Sequence, residues 1–528
     1  MDQKIKLLLL RYFSAKYFSA LISGLLLTLS FPETGLFYLA FFALVPFFVS
    51  IRPLTSKESF YYGFIAGFFH FSTLIYWIVP TVHVYGGLHL VLAISTLILF
   101  CFYLALYAAI FAFFLKMIDS KSWVAPLLVS CLWVSLEYIR TYAFTGFSWG
   151  ALGYSQYENL FLIQIADFSG VYGVSFLIIL VNYLLASIWT SFKNRQQKKT
   201  VIPVVYTLIL VAGAGFYGNK KIITIDSQIE TAQKTAITVV QGNIKQNLKW
   251  SEDFKARTIE KYIRLSHAES KKADLVIWPE TALPFYYGLD KPLSDRVDQY
   301  IRSAKTNFLI GSPAFSSDEN KVKFYNRAYM LNQFSIVTGT YDKTHLVPFG
   351  EYVPLGNYLT FLGKLTAQAG NFSMGDKTFI PLKFNDHNLK VTHKTGVLIC
   401  FEILFPSIAS KFVKNGADIL TTITNDAWFG HTSAAMQHFS IAVFRAVENR
   451  RAIARAANTG ISGFIDPKGE ILDTTPLFTD MAITRQLPAL KQISFYTRYG
   501  DVFAISCLFA ICMAFMVKGI RKKFRRNV

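Results

Sequence analysis

The sequence predicts a membrane protein in two parts, an eight-helix transmembrane bundle and a large α/β domain placed before the last helix. Three observations carry this reading. Hydrophobic residues make up 53% of the 528 and charged residues only 16%, where a soluble globular chain carries about 25% charged. Eight apolar runs lie at roughly 12–30, 35–51, 60–80, 88–115, 122–139, 160–191, 201–217 and 500–517, and ~20 such residues cross a bilayer as helix. Between the seventh and eighth, the chain changes to strands rich in Val, Ile and Thr alternating with helical stretches. The expected organisation is 1–217 as a seven-span region, 218–499 as the α/β domain, and 500–528 as a final span with a basic tail.

The first run begins with charge and has a short apolar core, as a secretory signal does. It lacks a small-x-small cleavage site before a polar start, so it reads as a retained span. Basic residues then choose the direction. One set of helix ends carries Lys4, Lys6, Arg11 and Lys16, then Arg52 and Lys57, Lys116 and Lys121, Lys193 to Lys199, and Lys518 to Arg526; the opposite short loops carry only Arg140. That imbalance puts both termini in the cytoplasm and residues 218–499 outside. The net charge of +20 is therefore not a nucleic-acid signature: of 53 basic and 33 acidic residues, 34 and 25 fall within 220–498 without forming a basic stripe. Glu137 and Asp167 are costly in hydrocarbon and are expected to face the bundle or the interface. The Gly- and aromatic-rich loop 141–156 reads either as an interfacial aromatic belt or as the wall of a lipid access site.

In the α/β domain, apolar strands end in polar residues at 235–243, 273–280, 307–313, 395–400 and 417–425, and sites of such domains lie where strands give way to loops. Cys400 is the only Cys between 218 and 499. A lone Cys after an apolar run is most often a small buried hydrophobe. Glu280 follows Trp278-Pro279, where the fixed φ of proline stiffens the turn that presents the carboxylate. Lys343, taken alone, reads as a surface lysine. Together the three supply a nucleophile, a base and a positive group for an oxyanion, which is what acyl transfer requires.

Trp-Pro-Glu280, Tyr-Asp-Lys343, Ile-Cys400-Phe-Glu402 and Arg445-Ala-Val-Glu-Asn449 with Ala456-Ala-Asn-Thr-Gly460 resemble, in order and separation, the nitrilase (carbon–nitrogen hydrolase) superfamily. With the membrane part included, the chain resembles the apolipoprotein N-acyltransferase family of the bacterial inner membrane. Phe144-Thr-Gly-Phe-Ser-Trp149, Val240-Gln-Gly-Asn-Ile-Lys-Gln246, Lys343-Thr-His-Leu-Val-Pro-Phe-Gly-Glu-Tyr-Val-Pro354 and Asn425-Asp-Ala-Trp-Phe-Gly430 carry that likeness over nearly the whole chain. The resemblance implies an α-β-β-α sandwich and a two-step acyl transfer. A phospholipid, typically phosphatidylethanolamine, gives its sn-1 chain to Cys400, and the thioester acylates the α-amino group of a diacylglyceryl-cysteine apolipoprotein. It assigns Glu280 as general base, Lys343 and the Phe401 N–H to the oxyanion, Glu351 as the partner of Lys343 or Glu280, and Trp250 and Glu402 to substrate. Phe401 departs from the family, where Tyr is expected after the nucleophile; the backbone donor is unaffected.

Two rivals remain. A membrane-anchored amidase or nitrilase-type hydrolase would share the triad and differ in acceptor, water in place of an amine; eight spans argue against it, since a polar substrate needs only an anchor. A scaffold without catalysis would not need the complete Glu, Lys and Cys set. The apolar stretch 355–365 reads as a packed helix or a lid dipping into the outer leaflet, with Pro284-Phe-Tyr-Tyr287 as its facing arm. No cofactor or metal is expected, because no P-loop, dinucleotide fingerprint or HExxH motif occurs.

Overall fold

The computed structural model describes residues 17–193, 200–246, 248–318, 321–352, 372–387 and 390–524; the stretch 355–365 lies outside them. Contacts divide the chain into two compact units, residues 1–79, 91–220 and 501–528 in one, and 80–90 with 221–500 in the other.

The first unit is helical. Four helices are long and apolar enough to cross a membrane, Leu90–Leu115, Val171–Lys193, Val201–Thr231 and Val502–Arg521. A fifth is added if Ser56–Leu74 and Ile78–Tyr85, bent by 57°, form one span. Tyr17–Leu29, Phe37–Ser50 and Leu160–Ser169 are shorter apolar helices, and Ala125–Tyr142 carries Glu137 and Arg140 near its end. Among the described residues, length and composition thus give four or five candidate spans, a count that neither reaches nor excludes the expected eight. Gly170, at φ 63°, sets the short helix Leu160–Ser169 off from the candidate span Val171–Lys193 within the expected run 160–191. Thr55 opens Ser56–Leu74 with a capping box, its hydroxyl accepting from Glu58 N–H while Glu58 accepts from Thr55 N–H. Gly63 and Gly67 on that helix touch Ala105, Ala108 and Ala112, so closely that a Cβ on Gly63 would lie 2.5 Å from the Ala108 carbonyl. Small residues at such a crossing are how helices pack without a hydrophobic drive between them.

Glu137 and Asp167 are buried, as expected. Glu137 Oε1 accepts from Trp133 Nε1 and Leu152 N–H at 2.8 Å each, and Asp167 Oδ1 accepts from Tyr217 at 2.6 Å. Most of the loop 141–156 is packed inward: Trp149, Tyr154, Ser155 and Gln156 are buried, with Trp149 4.7 Å from the Trp77 ring, while Tyr142 and Phe144 stand out at 40% and 92% exposed. A lipid-facing wall across this whole loop is therefore not what its aromatics build; they fill the bundle.

Among its described residues the second unit holds twelve strands in two sheets. The first six are β1 (Lys234–Gln241), β2 (Leu275–Ile277), β3 (Asn307–Asp318), β4 (Lys321–Leu331), β5 (Val337–Asp342) and β6 (Leu382–Asn385). They are followed by β7 (Thr392–Ile399), β8 (Ile419–Thr424), β9 (Ile453–Ala457), β10 (Gly463–Ile465), β11 (Ile471–Thr474) and β12 (Met481–Pro488). One sheet runs β12-β1-β2-β3-β4-β5 and the other β11-β10-β9-β8-β7-β6. Each has a parallel centre, β1-β2-β3 and β7-β8-β9. The sheets meet at β1 and β9, with Glu252–Ser270 and Lys291–Ala304 covering the first and Pro406–Lys414 and Ala434–Asn449 the second. Parallel strands need cover on both faces, and their solid Val, Ile and Thr composition follows from it.

Trp278 anchors the end of β2: fully buried, its ring lies 5.2 Å from Tyr262 and its Nε1 donates to Ser266 at 2.9 Å. Gly311 on β3 lets the next turn come close, since a Cβ there would sit 2.5–2.8 Å from Pro279, Glu280 and Thr281 backbone. The facing arm expected at 284–287 is instead part of the packed domain. Phe285 is in the core, and Tyr287 donates to Asp298 at 2.5 Å.

Candidate active site

Glu280, Lys343 and Cys400 leave the ends of β2, β5 and β7, on the side where parallel sheets place their sites. Glu280 is 6% exposed. Its Oε1 accepts from Asn326 Nδ2 at 2.7 Å and lies 3.4 Å from Lys343 Nζ; its Oε2 accepts from the Asn425 N–H at 2.9 Å. Lys343 is 1% exposed and donates to Glu351 Oε1 at 2.9 Å. Glu351 is fixed in turn by Asn326 Nδ2 at 3.2 Å and Val347 N–H at 2.9 Å. Asn326 thus spans the two carboxylates that share one ammonium. Burial alone would push Lys343 toward its neutral form, but Glu351 and Glu280 outweigh it and hold its pKa above the ordinary lysine value.

Cys400 opens a short turn after β7 with φ 53°, a left-handed conformation that is costly for a side chain with a Cβ. Its carbonyl accepts from His438 Nε2 at 3.2 Å. Against a carbonyl that nitrogen carries the proton, so in the neutral ring Nδ1 accepts from Arg455 Nη2 at 2.9 Å. Burial and Arg455 lower the His438 pKa and keep the ring neutral. Arg455 also binds Asp426 Oδ2 at 2.7 Å; burial raises that carboxyl, but the Arg455 guanidinium holds it below the usual range. This buried set pins the strained turn from behind. The thiol itself is pushed well up by burial and by the Glu280 carboxylate, with Lys343 opposing. At rest it is a thiol, and making it a nucleophile takes a base.

Sequence models match along the chain, that of the apolipoprotein N-acyltransferase N-terminal domain over residues 23–184 and that of carbon-nitrogen hydrolase over 236–492. A Geobacter metallireducens apolipoprotein N-acyltransferase is 40% identical over 93% of each chain, and one from Pasteurella multocida is 30% identical over 94% of this chain and 95% of its own. The chain belongs to the apolipoprotein N-acyltransferase family. Membership makes it an acyltransferase with a nitrilase-like α/β domain and a membrane part.

For an apolipoprotein N-acyltransferase family member, Glu402 needs correcting. Expected at the substrate, it is fully buried. Its Oε1 accepts from Tyr341 OH (2.8 Å), Thr344 N–H (2.7 Å), Thr344 Oγ1 (2.9 Å) and His345 N–H (3.2 Å), and its Oε2 from Ile399 N–H (2.8 Å). With both oxygens occupied it fastens the Cys400 turn to the Lys343 loop. Trp250 is 45% exposed and open to contact; Phe401 packs beside His345 and Phe405. Sequence reasoning missed Asn326, the Asn425 N–H and Lys249, and it set His438 aside as structural. The quoted motif at 425–430 pointed to Asn425; a mid-strand Asn and a lysine beside Trp250 gave no signal.

Proposed function

We propose that the protein moves an acyl chain from a phospholipid, through a Cys400 thioester, to the N-terminal amine of diacylglyceryl-cysteine apolipoproteins. Glu280 takes the thiol proton, the sulfur attacks the sn-1 ester carbonyl, and Lys343 with the Phe401 N–H balances the tetrahedral oxyanion. Collapse breaks the ester C–O bond, and the lysophospholipid leaves with the proton from Glu280. In the second step the acceptor amine attacks the thioester, Glu280 takes its proton, and sulfur departs to be reprotonated. Glu351 holds Lys343 in place, Trp250 meets substrate, and Glu402 braces the nucleophile's turn.

The observation that supports this most is the buried Glu280–Lys343–Glu351 cluster, with Glu280 and Lys343 as the chief charges acting on the Cys400 thiol. A carboxylate anchored by Asn326 and Asn425 keeps its proton-accepting oxygens in one geometry, which is how a general base gains its rate. Incubation with phosphatidylethanolamine should add one acyl mass to the intact protein, located on Cys400, and Cys400→Ala should gain none. An acylated Cys400→Ala protein, or an unmodified wild type that still acylates a diacylglyceryl peptide, overturns the thioester route.

Eight crossings, with the α/β domain periplasmic and both termini cytoplasmic at the bacterial inner membrane, complete the proposal; the distribution of basic residues supports it. A topology reporter after Val528 should then read cytoplasmic and one inserted near Asp318 periplasmic. Both on one side refutes the orientation.

A further inference from the structure

Lys249 has no place in the chemistry above, yet it is 2% exposed and sits against the candidate base. Its Nζ donates to the Thr281 hydroxyl at 2.5 Å and to the Glu280 carbonyl at 3.3 Å. Thr281 has φ 47°, so this lysine secures a turn whose backbone would not otherwise rest there. The segment that carries it grips the same base a second time. Gln246 Oε1 accepts from Asn425 Nδ2 at 2.8 Å, Asn458 ties Ile244 by both N–H and C=O, and Asn425 in turn gives its N–H to Glu280. Trp250, the exposed aromatic, follows directly.

We propose that Lys249 is a positioning residue for Glu280, and that its ammonium is a second positive charge, distinct from Lys343, on which formation of the Cys400 thioester depends. The groups that face it are Glu280 from the turn after β2 and Cys400 from the turn after β7; Lys343 and Glu351 lie beyond Glu280 in the same ion-pair cluster. No carboxylate is bonded to its nitrogen among the described residues, in contrast to Lys343. Burial therefore dominates, and its pKa is lowered to about 8, with Glu280 and Cys400 opposing. The charge is present below that pH and lost above it, while Lys343 stays charged throughout. Acylation should accordingly decline as pH rises through about 8.

This inference rests on the acyl-transfer reading, and the test separates the two. Single-turnover acylation of Cys400 by phosphatidylethanolamine in detergent micelles is followed from pH 6 to 10 for wild type, Lys249→Arg and Lys249→Met. The lipid's own amine titrates identically in all three reactions. Wild type should show an alkaline decline centred near 8. Lys249→Arg, whose guanidinium does not lose its proton in this range, should carry the rate to higher pH even if its plateau is lower. Lys249→Met should lack the decline and react about 10–100-fold more slowly at pH 7, the size of effect expected when a supporting partner behind a reacting group is lost. Thermal unfolding of each variant reports whether the Met protein is folded, and the Arg profile decides the case if it is not. A decline near 8 that persists in folded Lys249→Arg, or a wild type without one, overturns the inference. A wild type that forms no thioester at any pH overturns the acyl-transfer reading instead.

Discussion

Lys343→Met is expected to slow both half-reactions by about 10²–10³-fold, the cost of one missing oxyanion donor, while phospholipid affinity stays near the wild-type value. The ammonium acts on charge that develops only in the tetrahedral intermediate, so its loss falls on rate and spares ground-state binding. The unbranched Met side chain preserves shape. A second consequence follows from the ion pairs: Glu280 and Glu351 would be left buried without their shared cation, and removing one partner of such a set costs about 3–5 kcal/mol. The thermal midpoint should fall too, and rates should be compared per folded molecule. Lys343→Arg should not restore the wild-type rate, because a planar fork cannot sit at 2.9 Å from Glu351 and still occupy the place of a compact ammonium. Lipid binding, thioester formation and peptide acylation are measured separately. Weakened binding with both chemical steps intact would make Lys343 a headgroup contact and remove it from the triad.

Glu280→Gln should lower the rate of thioester formation by about 10²–10⁴-fold. The amide keeps the shape of the carboxylate and can still accept from the Asn425 N–H, but it cannot take a proton. The thiol that faces it is held above its ordinary pKa, so no reservoir of thiolate compensates for the missing base. Thioester formation at a near-normal rate in this variant would exclude Glu280 as the base.

Glu280 and Cys400 could be read from the sequence because each stands where an apolar run stops, a position that is visible in one dimension; Lys343 follows the polar Thr-Gly-Thr-Tyr-Asp and was legible only beside those two and through its Tyr-Asp-Lys motif. Glu351 was legible as a nearby opposite charge. The remaining contacts of the site were not. Asn326 lies within β4 and differs in no way from a polar residue on a half-exposed strand until the fold brings two carboxylates to its amide. The Asn425 contribution is a backbone N–H, which has no sequence signal of its own. Glu402 was placed at the substrate because it matches a position that the family uses there; the short turn at Cys400–Leu404 instead points it inward. In the membrane part, composition located the helices but not their ends. Gly170 interrupts a run that hydropathy alone treats as continuous, and Ala125–Tyr142 runs past the end expected at 139.

The five donors gathered by Glu402 have a mechanical consequence. Tyr341, Thr344 and His345 continue from a strand of one sheet, whereas Ile399 and Cys400 belong to the other. A single side chain therefore rivets the two halves of the sandwich at the point where Lys343 and Cys400 emerge. The loop that carries Lys343 and the strand that ends at Cys400 are thereby tied to one side chain, which braces the spacing of these two residues against slippage between the sheets.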